Sequence, residues 1–213
     1  MMKPTTSYGG PVSPELFHQD APGVEIVESS DHNDAVTVAC RRLIGVLHRR
    51  LLTKFGRLQS EVSYIASRNE TVAETERVDL VLDLSHGAAT DWNSRADLYC
   101  SLGDTASSAQ VDERFGVRIR GLHEVENAVL VDGRPVPAAI VDLAVAAVAF
   151  VELLRAENGE LLTVVHPLSH GAEEEELWRA LFQLCQDRLG IQRGVLDRSS
   201  TIPMVRTNVS AVA

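Results

Sequence analysis

Between Arg114 and Arg120 apolar and polar positions alternate, with Phe115, Val117 and Ile119 set between Arg114, Gly116, Arg118 and Arg120. A period of two predicts a strand. The chain then turns at Gly121, and Ala128 to Val131 forms a second β-rich run that ends in the hairpin-type dipeptide Asp132-Gly133. Pro135 and Pro137 lead into Ala138 to Leu154, where Ile140, Val141, Val145, Val148, Phe150, Val151 and Leu154 predict a nearly buried helix closed at Asn158-Gly159. Upstream, Val24 to Val27 alternates as a short strand. From Ala35 to Leu58, Val38, Leu43, Val46, Leu47, Leu51, Leu52, Phe55 and Leu58 follow helical spacing, and Arg41, Arg42, Arg49, Arg50, Lys54 and Arg57 line the wet face. Residues 59–77 are polar and poorly periodic, and 95–113 read as a polar loop or hairpin. The mostly apolar run Val78 to Leu84 predicts a strand covered on both faces. Leu161 to Val165 is a further strand. Leu177, Leu181, Leu184, Cys185 and Leu189 form the stripe of a helix that Gly190 terminates.

With 213 residues the chain is long enough for one domain with a sizeable core. A net charge of −10 and a pI near 5.1 argue against nucleic acid or an anionic membrane as partner. Three cysteines, Cys40, Cys100 and Cys185, contain no CxxC pair and read as free thiols of a reducing compartment. The first residues lack the apolar segment of a secretory signal. The longest apolar run, Leu143 to Val151, lies between Asp142 and Glu152 and is too short to span a bilayer. The expectation is a cytoplasmic protein. Residues 1–22, with four prolines, are expected to be a flexible arm, 23–60 an N-terminal helical segment, and 61–213 the main domain.

Candidate chemistry concentrates at strand ends. Arg118 and Arg120 alternate with apolar residues and so are expected on one side of their strand. There they form an anion site, or salt bridges with carboxylates such as Glu124 and Glu126. His123 follows in the same loop. His86, after the strand at 78–84, is either a general base or a plain loop residue. His166 and His170 are four apart, a zinc spacing on a helix, but Pro167 between them disfavours helix. Glu173 to Glu176 sit where a following helix presents its positive end. The arginine-rich face around Arg49 suits CoA phosphates or acidic partners or, more simply, solvent.

The run Val117-Arg118-Ile119-Arg120-Gly121-Leu122-His123, continued by Glu126 and Val129 to Pro137, resembles the arginine strand of malate synthases. Leu47-His48-Arg49-Arg50 is similar to the family's opening helix. Asp83 and Trp92 match an acidic strand-end motif, with Ser85 and His86 where the family has Glu and Asp. Ser169 and His170 match a motif whose Lys and Glu are not found here. Asp187 to Val195 resembles the family's passage from helix to strand, and Ser200 stands where a metal-binding Glu is expected. The resemblance implies an α/β fold: a partial TIM-barrel of parallel β/α units with an N-terminal amphipathic helix, since a complete barrel takes about 250 residues. It implies the family reaction, Mg²⁺-dependent condensation of acetyl-CoA with glyoxylate to malate, with Arg118 as the catalytic residue that stabilises the enolate. Arg120, Asp83 and His123 are implied as substrate-binding residues for a small α-keto acid or acyl-CoA. No metal ligand is assigned, and Mg²⁺ is expected only if another chain supplies the absent carboxylates. The expected partner is a second copy or a complementary malate-synthase-like chain. The alternatives are a non-catalytic binding subunit and a reassigned lyase using His86 or His170.

Overall fold

The computed structural model describes residues 23–27, 38–55, 77–78, 80–85, 91–109, 113–155, 162–167, 169, 171–199 and 204–205. The expected arm at 1–22, the polar stretch at 59–76, and His86, His170 and Ser200 lie outside them.

Four strands, β3 (Leu80–Asp83), β4 (Phe115–Arg118), β7 (Leu162–Val165) and β8 (Leu196–Ser199), form one parallel sheet in the order β3-β4-β7-β8. Between β3 and β4 runs helix α2 (Trp92–Ser108), and between β7 and β8 runs α5 (Ala172–Leu189). These are β/α units, but the described strands leave the sheet open and close no barrel. Phe115, Val117, Leu162, Val164 and Leu196 belong to the buried core shared with the helices, and Phe115 meets Phe150 at 5.0 Å. That explains why β7 is apolar but for Thr163, with all four of its residues buried.

The β5 (Val125–Val131) and β6 (Arg134–Pro137) hairpin follows β4, and β1 (Val24–Ile26), from the start of the described chain, joins it in a three-stranded antiparallel sheet of order β1-β5-β6. The β5–β6 turn has positive φ at both Asp132 (52°) and Gly133 (74°), the geometry of the tight hairpin predicted from that dipeptide. Two further short strands, β2 (Arg77–Val78) and β9 (Met204–Val205), pair in parallel.

Helix α1 (Val38–Phe55) places Leu43, Ile44, Leu47 and Leu51 in the common core, where it packs on α3 (Ala138–Ala149) and α5. Its Arg49 reaches the hairpin tip and makes two 2.9 Å hydrogen bonds to Asp132. The apolar stretch after Pro137 does not run unbroken to Leu154. It is interrupted at Phe150 (φ −93°, ψ 7°) and resumes as α4 (Val151–Arg155). The first amide of α3 is satisfied by the carbonyl of Glu124, at 2.7 Å, in place of a side-chain cap. Gly190 ends α5 in the left-handed conformation, as its position predicted.

The expectation of a loop or hairpin over 95–113 is corrected by α2. Its apolar stripe is narrow, and Ser101, Gly103, Thr105, Ser107 and Ser108 dilute it. Yet Trp92, Ala96, Tyr99, Leu102 and Ala106 are buried at spacings of four and three, which is helical. Asp91 caps it by accepting from the Ser94 amide at 2.9 Å. The hydroxyls of Ser101, Thr105 and Ser107 return to carbonyls one turn back. No helix among the described residues is long and apolar enough to cross a membrane.

Candidate functional site

Parallel strands bring their carboxyl ends to one edge. The register sets Asp83, Arg118, Val165 and Ser199 side by side there. In open α/β sheets and in barrels that edge is where ligands bind. Arg118 is the last residue of β4, its side chain about a third exposed, and its Nη1 lies 3.8 Å from Oδ2 of Asp83. Asp83 is fixed from behind, for its Oδ1 accepts from the Ser85 amide at 2.8 Å and from Ser85 Oγ at 2.6 Å. The next residue, Leu84, offers its carbonyl to Arg95 of α2 at 2.5 Å. The β3 end is thereby pinned to the helix that follows it.

Arg120 goes elsewhere. β4 ends at Arg118, so alternation no longer governs the residue two positions on. Its backbone N–H and Nε both donate to Oδ2 of Asp142, at 3.0 Å each. Nη2 donates to Asp142 Oδ1 (2.8 Å) and to the Tyr99 hydroxyl (3.0 Å), and Nη1 to Glu126 Oε2 (2.9 Å). Tyr99 in turn donates to Asp142 Oδ1 at 2.7 Å. Burial opposes the charge on Arg120, but its hydrogen bonds and charge contacts outweigh that and hold its pKa above the ordinary arginine value. Burial, and then Asp142, push the Tyr99 phenol up. Of the two alternatives read from the strand, Arg120 takes the ion pair, with Glu126 and with a stronger partner, Asp142, that is fully buried. The two arginines therefore serve different neighbourhoods.

His123 is exposed in the turn after Gly121. A side chain at position 121 would collide with its ring, 2.5 Å from Cε1, so Gly121 lets the loop fold over itself. Glu124 returns to accept from the Gly121 amide at 2.8 Å.

A second polar group lies beyond β7. Ser169 donates to Glu175 at 3.3 Å, and Arg198 of β8 pairs with the same carboxylate. Arg198 holds the Glu175 carboxyl below its usual range. His166 is buried and stacks on Trp178 with ring centres 4.6 Å apart. Its Nδ1 lies 2.7 Å from the Pro167 carbonyl, which only accepts, so Nδ1 carries the proton. The anticipated His166–His170 pairing involves a position outside the described residues.

Burial keeps His166 below the ordinary histidine pKa, and burial likewise lowers His48 in α1. In the unfolded chain both return to about 6.5. Below that pH the unfolded state binds protons that the folded state refuses. Stability is therefore full above the unfolded value and is lost as pH falls from there toward the lowered folded pKa values. The urea midpoint is expected to be flat above about pH 7 and to decline as pH falls below about 6.5. His48→Gln and His166→Gln should each flatten that decline.

Mg²⁺ takes several oxygen ligands in octahedral geometry. Among the described residues no three His, Cys, Asp or Glu side chains converge as a metal requires. At the strand-end edge, Asp83 has one oxygen taken by Ser85 and the other facing a guanidinium. That donor set does not fit a hard dication.

No curated protein matches the chain. Residues 115–210, from β4 through β9, match the family described as malate synthase, TIM barrel domain. Through that segment the chain is related to the malate synthase family.

Proposed function

We propose that this malate-synthase-like protein binds a small α-keto acid or related carboxylate at Arg118 and does not by itself condense acetyl-CoA with glyoxylate. The observation that carries the reading is the contrast between the arginines. Arg120 is saturated in the core, while Arg118 stands half-buried at the strand-end edge with a loose acidic neighbour. A Claisen condensation needs a base for the α-proton, a cation on the keto acid and donors for the enolate. Arg118 supplies the third. Ser85, His86 and Ser200 stand where the family resemblance calls for carboxylates.

A second reading keeps the family reaction but takes the missing carboxylates, and with them Mg²⁺, from another copy or a complementary chain. The open sheet, with β3 and β8 as its outer strands among those described, favours it, because unpaired strand edges invite pairing.

The test measures glyoxylate binding by calorimetry and CoA release from acetyl-CoA plus glyoxylate. The purified chain is expected to bind glyoxylate without releasing CoA. Arg118→Ala is expected to weaken binding by about tenfold or more, the loss of a charge-assisted hydrogen bond. EDTA-sensitive CoA release by this chain alone would refute the first reading. Release only on adding a second chain would establish the second.

A further inference from the structure

We infer that His48 is an acid-sensitive trigger in the joint between α1 and the β5–β6 hairpin: when its ring takes a second proton, α1 releases the hairpin tip.

Three elements meet in that joint. Arg49 of α1 makes its two 2.9 Å hydrogen bonds to Asp132 at the hairpin tip, and both side chains are about half exposed. The Asp132 amide donates to the Gly23 carbonyl at 2.7 Å, which ties the tip to the residue before β1. The start of β1 closes on both partners. A side chain at position 23 would meet Asp132 Oδ1 at 2.2 Å and Arg49 Nη2 at 2.9 Å, and one at position 45 of α1 would meet Val24 at 2.9 Å. At those points the joint has no slack.

His48 is the helix neighbour of Arg49, and it is only 2% exposed. Its Nδ1 is buried and has no hydrogen-bond partner among the described residues. In the neutral ring Nδ1 can stay a bare nitrogen, whereas in the protonated ring both nitrogens are donors. The new N–H at Nδ1 then meets no acceptor, and a buried donor that carries charge and lacks a partner is costly. The charged groups that face the ring are Arg49 from α1 itself and Asp132 and Arg134 from the hairpin. Two of the three are cations, and Asp132 already holds Arg49 with both of its oxygens. Burial is the main cause that keeps the ring neutral while the joint is closed. An open joint returns water to the ring and restores its ordinary proton affinity, so falling pH favours the open form. The weaker side of the joint gives way. Leu43, Ile44, Leu47 and Leu51 hold α1 in the core, whereas the exposed tip Asp132-Gly133-Arg134 meets α1 through a surface ion pair.

The experiment is an NMR titration of the full-length protein from about pH 7.5 down to the onset of global unfolding. It follows the His48 ring signals and the solvent exchange of the Arg49 Nε–H beside that of Arg193. Arg193 makes an equally exposed two-bond pair with Asp187, at 3.0 and 2.9 Å, and so reports how such a pair responds to pH without this histidine. As His48 titrates, Arg49 Nε–H exchange is expected to rise by about tenfold relative to that of Arg193. His48→Gln, which cannot take the proton, should abolish the difference, and His48→Asn replaces it if the glutamine variant does not fold. The inference is overturned if the two Nε–H groups exchange in step until the whole protein unfolds. It is equally overturned if the difference persists without the histidine.

Discussion

Arg120→Ala is expected to lower the stability of this protein by about 3–5 kcal/mol, a large share of the margin of an ordinary domain. The substitution strips the guanidinium from Asp142, which is fully buried, and leaves a carboxylate in the core with the Tyr99 hydroxyl as its remaining side-chain donor among the contacts described above. Removing one partner of a buried ion pair costs far more than removing both. The double variant Arg120→Met, Asp142→Leu should recover part of the loss, because the apolar pair needs no compensation while the Tyr99 hydroxyl and Glu126 lose their partners. Urea unfolding of the two singles and the double closes a mutant cycle. A single-variant loss below about 1 kcal/mol would show that the network is solvated, against its burial.

Trp178→Ala is expected to cost a comparable amount, about 3–5 kcal/mol. Trp178 is fully buried on α5, stacked against His166 and edge-on to Phe182 at 6.4 Å. Truncation leaves a cavity between the end of β7 and its helix. The same change should raise the His166 pKa toward the ordinary value, since burial is the main cause of its depression and the cavity relieves it. Trp178→Phe should keep most of the packing and much of the pKa shift. Histidine titration by NMR, read beside the urea midpoint, separates lost packing from lost desolvation. An unchanged His166 pKa in a folded Trp178→Ala protein would mean that the stack does not exclude water.

These two networks show where local pattern carries the fold and where it does not. The strands at 115–118 and 162–165, the Asp132-Gly133 hairpin and the Gly190 terminus are legible because each depends on a few adjacent residues. α2 was missed because its serines and threonines look like turn residues, although Trp92, Ala96, Tyr99, Leu102 and Ala106 carry a helical stripe. Asp142 had a readable signal too. It is the one polar residue in an otherwise apolar twelve-residue helix, and a carboxylate in such a place needs a buried partner. The pairing of Glu175 with Arg198 had no such local signal, since twenty-three positions separate them.

What the amino-acid order determined by itself was the menu of elements and the kinship of residues 115–210. Both rest on short-range periodicity and on ordered motifs that survive without knowledge of packing. The division of labour between Arg118 and Arg120 was decided only in three dimensions. On paper the two residues are equivalent neighbours of one strand. The strand stops between them, and the charge that captures Arg120 arrives from a helix 22 positions away, while Arg118 stays at the strand-end edge, 3.8 Å from Asp83. Electrostatic partners are chosen by proximity in the folded chain, and that proximity is not written in any local pattern.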